Sequence, residues 1–419
     1  MFLFLSLSAS AQISLSSAVT LAEKSSPSVR SAVARVERAT AAAQEARDVY
    51  IPNFQLGTSP GYAYGFPLGY PALFNAYSQS LVLSFSQPDY IRSADSGVRA
   101  ANLSLKDTRD QVALDVSQDY VELDHDLAEI AALDEEKSYA GSLVSIEQDR
   151  VQAGVDPRVS ELQAELTAAQ IDEKRIHLGN DADEMRQKLA DLTGLPAAGF
   201  TPVHDSIPDI AIDAGSADSA PVNPAVSAAN ANAQAKLYEA FGDARQNYRP
   251  LMSFGAQYSL FSKINNYSQY FRSFQYNNVA IGVQVTFPLF DATRRAKARE
   301  SAADAADARA SADQTRDVLS EQTFAARRAI RELAAGQRVA QIQSELAQEE
   351  LKTVNTELAS GSGSANVQPV SPVTAQKTHI EERERYEDLL DTNFSLMKVQ
   401  LNLLRMTGQI NDWVRSSLR

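Results

Sequence analysis

Two hydrophobic periods alternate along this chain. From Met252 the apolar residues fall on every second position, Met252, Phe254, Ala256, Tyr258 and Leu260, with Ser253, Gly255, Gln257 and Ser259 between them. The same two-residue period sets Phe54, Leu56 and Thr58 against Gln55, Gly57 and Ser59, and Leu81, Leu83 and Phe85 against Ser80, Ser84 and Ser86. It returns in Val279, Ile281, Val283, Val285 and Phe287, spaced by Ala280, Gly282, Gln284 and Thr286. Alternation of this kind predicts four strands in two hairpins, at about 53–88 and 251–288, each with one oily and one small-polar face.

Elsewhere the period is helical. Helices are predicted over roughly 14–50 and 223–248, each closed by a Tyr-x-Pro, because the residue before proline is driven out of the helical region. After the second hairpin no proline occurs from Asp291 to Ser360, and one heptad position reads Ala305, Ala312, Leu319, Ala326, Leu333, Ala340, Ala347, Val354. At 1.5 Å per residue this predicts a helix on the order of 100 Å long. A 3.5-residue repeat kept so long implies supercoiling against neighbours, with the alanines permitting close approach. The first half has a counterpart in Val112, Val116, Tyr120, Leu123, Leu127 and Ile130, continued by Val144 and Val151. Both long helices end in glycine-containing breaks, "AGVDPRVS" and "SGSGSANVQPVSPV".

The elements occur twice. Arg47-x-x-Tyr50-x-Pro52 recurs as Arg245-x-x-Tyr248-x-Pro250, and "SLVLSFSQP" as "VAIGVQVTFP". "DLTG" ending at Gly194 is echoed by "RMTG" ending at Gly408. The predicted organisation is a signal peptide over 1–11, a first repeat over 12–196 with its helical hairpin at about 89–195, and a Pro/Ala/Asp/Ser linker over 197–222. A second repeat over 223–410 has its helical hairpin at about 291–408, and a tail covers 411–419. The opening "MFLFLSLSASAQ" reads as the apolar core of a secretory signal with an Ala9-Ser10-Ala11 cleavage site.

Composition narrows the function. Net charge is -14 with no basic cluster, which argues against nucleic acid as a partner. The chain has no cysteine, which removes disulfides, thiolate metal sites, thiol catalysis and lipoprotein acylation. No run approaches the roughly 20 apolar residues of a spanning helix. Strands of about ten residues beside loops crowded with Tyr and Phe fit an outer-membrane β-barrel hairpin, whose inward face here would be Ser80, Ser84, Ser253, Gln257, Gln284 and Thr286. Four strands cannot close a barrel, and an open edge in lipid leaves backbone groups unpaired, so closure demands several chains.

The double copy, the Tyr-x-Pro entering each hairpin, "FPLFDATRR" leaving the second, the glycine before each helix restart and the closing "LTG" resemble the TolC-like outer membrane efflux proteins, over essentially the whole mature chain. The resemblance implies a mainly α chain whose homotrimer joins a twelve-stranded outer-membrane β-barrel, four strands per chain, to a periplasmic α-helical coiled-coil barrel. It implies a passive exit duct with no cofactor, serving a tripartite efflux pump or type I secretion system. The implied partners are a periplasmic adaptor (membrane fusion) protein, an inner-membrane transporter of the RND, ABC or MFS class, and outer-membrane lipid. Gly154 with Ala164, and Gly361 with Ala375, match the family's glycine and alanine at the periplasmic tip. The tip and constriction would then comprise Gly154, Asp156, Arg158, Ser160, Glu161, Gly361, Ser371 and Thr374. Ser371 and Thr374 stand where acidic residues ring the entrance in other members, with Pro369 and Pro372 beside them, and Ala292 and Thr293 replace a usual glycine pair. A constriction less prone to bind cations is expected.

The rival reading is a secreted or periplasmic coiled-coil scaffold or adhesin without transport, which would account for the heptads and the acidic surface. An enzyme finds little support. Asp124-His125-Asp126 is the best local metal candidate, but three consecutive helical residues point in different directions. His177, His204 and His379 are isolated, and the charge runs of the long helices read as solvated faces.

Overall fold

The computed structural model describes residues 12–62, 72–197, 200–210, 223–261, 275–360 and 371–416. The expected signal peptide, Gly361, Pro369 and most of both aromatic loops lie outside the described residues, as does much of the linker. The chain divides into two compact units, one built from residues 1–31, 106–223 and 317–419, the other from 32–105 and 224–316.

In chain order the elements are β1 (Gln12–Ile13), α1 (Leu15–Ser25), α2 (Pro27–Asp48), β2 (Asn53–Ser59), β3 (Ala72–Ser84), α3 (Gln87–Gln152) and α4 (Arg158–Thr193). There follow β4 (Thr201–Pro202), α5 (Pro224–Gln246), β5 (Leu251–Phe261), β6 (Asn277–Thr286), α6 (Ala292–Ser360), α7 (Pro372–Met406) and α8 (Ile410–Ser416). Helix predominates, and among the described residues no helix is long and apolar enough to cross a membrane.

The helix expected over 14–50 is two helices. Pro27 sits at the start of α2, where its missing N–H costs nothing, and the residue before it, Ser26, is extended (φ −56°, ψ 127°). In α1 the residues Leu15, Ala18, Val19 and Ala22 form one buried stripe at helical spacing. The helix is tied down by the Ser25 hydroxyl donating to the Leu192 carbonyl (2.6 Å) and by Leu15 N–H donating to Ser206 Oγ (3.1 Å).

The first unit is held by side chains of α3, α4, α6 and α7. Leu133, Ala140 and Leu143 of α3 pack with Ala164 and Ile171 of α4 and Ile380 of α7. Ala326 and Ile330 of α6 pack with Leu396 and Leu403 of α7. The heptad seam of α6 is where the sequence places it: Ala305, Ala312, Ala326, Ala340 and Ala347 are buried, and Leu319, Leu333 and Val354 are half-buried. Alanine suits this position because it lets helices approach closely at no cost in side-chain entropy.

Tyr120 of α3 organises the start of the chain. Its fully buried ring meets Phe200 edge-on, its hydroxyl donates to the Ile13 carbonyl (2.8 Å), and it accepts the Val203 N–H (2.6 Å). That brings β1 beside β4 as a short parallel pair. Gly194 and Gly408, the two glycines of the Thr-Gly echo, both adopt left-handed backbone (φ 76° and 69°), which terminates α4 and α7 in the conformation glycine adopts most cheaply. Beyond Gly408 the residues expected as a tail form α8, whose Trp413 is buried and donates to the Pro208 carbonyl (3.2 Å).

One expectation fails for α3, α4 and α7. Their charges are not simply solvated: Asp126, Glu129, Glu136, Glu147, Glu161, Glu382 and Glu387 are all buried. Lys174 of α4 reaches Glu129 and Glu387, each at 2.7 Å, and Arg383 pairs with Glu382 (2.6 Å). Cations from elsewhere in the fold thus compensate part of the charge, which a single-helix pattern cannot reveal.

In the second unit the sheet has the order β2-β3-β5-β6, antiparallel throughout, with β2 and β6 as its edges. Tyr90 packs against Gly242, where an added Cβ would lie 2.6 Å from the ring. The Tyr90 hydroxyl donates to Asp243 (2.6 Å), Ser301 donates to the same carboxylate, and Arg245 binds Asp89 (2.5 Å).

Candidate functional site: the two sheet faces and the helical turns

Residues directly opposite in an antiparallel pair share a face, so the registers sort the sheet. One face carries Phe54, Leu56, Phe74, Ala76, Leu83, Met252, Phe254, Ala256, Tyr258, Leu260, Val279, Ile281, Val283 and Val285. Much of it is bare: Phe54 is 83% exposed, Ile281 71% and Val279 66%. The other face carries Asn53, Gln55, Asn75, Gln79, Ser253, Gln257, Ser259, Asn278, Gln284 and Thr286, with glycines at 57, 255 and 282. Tyr77 on this face donates to Gln55, and Gln257 to Ser259 (3.1 Å).

Five of the six polar positions expected together are on that second face: Ser84 opposite Leu251, Ser253 opposite Gln284, Gln257 opposite Ala280, and Thr286 opposite Leu251 from the other side. Ser80 is the exception. It lies opposite Phe254 on the apolar face, while Leu81 lies opposite Ser253 on the polar one. The cause is an irregularity between Leu81 and Leu83, where the register shifts. An extra residue in one strand reverses which side chains point which way.

The expected tip residues occupy the turn between α3 and α4 and the start of α7, all in the first unit. Gly154 takes a left-handed φ of 71°, and Val155 N–H donates back to the Arg150 carbonyl (2.9 Å). Asp156 grips the Arg150 guanidinium with both oxygens, one at 3.2 Å, and this hydrogen bonding holds its carboxyl below the usual range. Pro157 caps α4, Ser160 N–H donates to the Pro157 carbonyl (3.0 Å), and Arg158 pairs with the buried Glu161. Both acids of this turn are therefore matched to arginines.

Ser371 is the N-cap of α7. Its Oγ accepts the Thr374 N–H (3.1 Å) and lies 2.9 Å from the Thr374 hydroxyl, with Pro372 following at a position where no N–H is missed. The two residues expected at a constriction are thus engaged in ending a helix cleanly. Ala164 and Ala375 are both buried in the adjoining turns.

A cluster that the sequence did not foretell lies further along α3. His125 Nε2 is 3.5 Å from Glu129 Oε2 and 3.1 Å from Asp391 Oδ1 of α7. The partner of His125 is Glu129, four residues on, and not its neighbours Asp124 and Asp126. Asp124 instead pairs with His204 (2.7 Å), which raises the imidazole pKa.

Residues 18–195 match the model of the outer membrane efflux protein family. No curated protein is matched in sequence. Among solved structures, the chain is similar to VceC from Vibrio cholerae, with 17% identity over 94% of this chain and 96% of that one, at a TM-score of 0.76. It is similar to CmeC from Campylobacter jejuni, with 15% identity over 94% and 85% and a TM-score of 0.76. It is also similar to MtrE from Neisseria gonorrhoeae, with 14% identity over 94% and 88% and a TM-score of 0.72. The chain shares the fold of these solved outer-membrane channels, and its residues 18–195 match the outer membrane efflux protein family model.

Proposed function

We propose that three copies of this chain assemble into the exit duct of a tripartite efflux pump or type I secretion system. The observation that carries the reading is the four-stranded sheet, bare on its apolar face and unpaired along β2 and β6. Unpaired backbone groups in lipid cost several kcal/mol each, so β6 of one copy must find β2 of the next. Three copies give a twelve-stranded barrel, with Ser84, Ser253, Gln257, Gln284 and Thr286 towards its water-filled lumen and the Ile281 face towards lipid.

The long helices would supply a periplasmic tunnel, whose tips, formed around Gly154, Asp156, Arg158, Ser160, Glu161, Ser371 and Thr374, meet a periplasmic adaptor and an inner-membrane transporter of the RND, ABC or MFS class. The two-repeat organisation supports this reading, since each repeat contributes one hairpin and one tip. Because Asp156 and Glu161 are already matched to Arg150 and Arg158, and Ser371 and Thr374 carry no charge, the entrance would hold divalent cations weakly. Single-channel recording in planar bilayers tests this. The expected result is discrete steps little affected by millimolar divalent cations at the helical end; strong block from that side would overturn the weakly charged entrance, and absence of any conductance would overturn the duct.

A further inference from the structure

We propose that His125, Glu129 and Asp391 form a binding site for a first-row divalent cation such as Zn²⁺, which would staple α3 to α7. The site lies within one chain and one unit, so it does not depend on the assembly proposed above.

The geometry is that of ligands around an absent centre. Nitrogen and oxygen ligands sit about 2.0–2.2 Å from such an ion, so two of them at a tetrahedral angle are about 3.3 Å apart. The His125 nitrogen is 3.1 Å from one carboxylate oxygen and 3.5 Å from the other. All the offered atoms fall within 4.8 Å of one another. His125 and Glu129 are one helical turn apart, the spacing that presents two side chains on one face.

The surroundings hold these groups in place. The His125 ring is stacked on Phe394, with centroids 4.7 Å apart and planes 5° from parallel, which fixes where Nε2 points. Glu129 gives Oε1 to Lys174 and keeps Oε2 for the cluster. That ammonium also holds Glu387 Oε2 (2.7 Å), one turn before Asp391 on the same face of α7. Glu387 is 96% buried by its residual exposure of 4%, and its Oε1 has no hydrogen-bond partner. Three carboxylates, on Glu129, Glu387 and Asp391, thus gather around Lys174 and one imidazole. The excess of negative charge in a mostly buried place asks for one more cation. One imidazole with two carboxylates is a three-ligand donor set for Zn²⁺ and its first-row neighbours, not for a soft monovalent ion. An ion here requires Nε2 to be unprotonated.

The test is a titration of the detergent-purified, chelator-stripped protein with Zn²⁺ against a chromogenic zinc indicator. The expected result is one ion per chain, with affinity reduced in His125→Gln and in Asp391→Asn by more than the roughly 10–100-fold that loss of an outer-sphere partner costs. Asp391 is 59% exposed, so its variant folds even if the buried histidine is needed for packing. His177→Gln, which removes an exposed His–Asp pair of the same i,i+4 spacing (2.7 Å to Asp181), is expected to bind as the parent does. Less than one ion per chain, binding unchanged in Asp391→Asn, or loss in His177→Gln alone would each overturn the site.

Discussion

The sheet and the α3/α4/α7 bundle solve opposite problems. The bundle closes on itself: Leu133, Leu143, Ile171 and Ile380 are buried by one another within a single chain, and the acids among them are matched in part by Lys174 and Arg383. The sheet does not. Among the described residues its apolar side chains are among the most exposed, and neither β2 nor β6 pairs with a further strand. An apolar face without a partner in the chain needs a different solvent, and a free edge needs another copy. The bundle is specified by contacts within a chain; the proposed assembly would specify the sheet through lipid and neighbouring copies.

The largest effect should come from placing a charge on the bare face. Ile281→Arg is expected to cost about 2–4 kcal/mol near the bilayer midplane and to abolish the proposed trimer, read as an oligomer band in unheated samples on gels. Gln257→Arg on the opposite face should leave that oligomer intact, and equal loss in both variants would break the comparison. Next in size is Gly242→Ala, whose new Cβ would meet the Tyr90 ring at 2.6 Å. Overpacking of this kind costs about 1–3 kcal/mol, read as a lowered Tm in detergent.

The bundle should respond to pH where the sheet does not. Burial, reinforced by neighbouring Glu387, pushes the Glu136 carboxyl up to about 8. The folded chain then holds a proton that the unfolded chain releases above its ordinary pKa of about 4.5, so stability falls as pH rises from that value through about 8. Thermal melts should show Tm dropping over this window, and Glu136→Gln should flatten the drop. A steeper drop in the variant would contradict the assignment. The smallest effect concerns the start of α7, where Ser371→Ala should cost about 1 kcal/mol through the lost cap while leaving conductance unchanged. A changed conductance would give Ser371 a part in the entrance beyond its cap.

Much of this was legible in advance because the two periods are so different. The alternation in β5 and β6 identifies the two faces that the strand registers show, and the alanine heptads of α6 identify the seam that is buried. What escaped the sequence depended on the third dimension. Ser80 reads as a partner of Ser84, yet the register shift at Leu81–Leu83 puts it opposite Phe254. Since the chain has no cysteine, single variants can decide this directly: Ser80→Cys should label like Phe254→Cys, with lipid-soluble reagents, and Ser84→Cys like Gln284→Cys, with water-soluble ones. The buried acids escaped because Lys174 and Glu129 meet across two helices. The surroundings of His125 escaped because its carboxylate neighbours are one turn away and on α7, not adjacent in sequence. The break at Pro27 was readable from the residue itself but was masked by helical composition on both sides.

The mass of the detergent-extracted protein, measured with its bound detergent accounted for, tests the central claim most directly. The account predicts three chains per particle, recovered from the outer-membrane fraction. A single chain that stays in solution without detergent, its Ile281 face covered by its own residues, would contradict it.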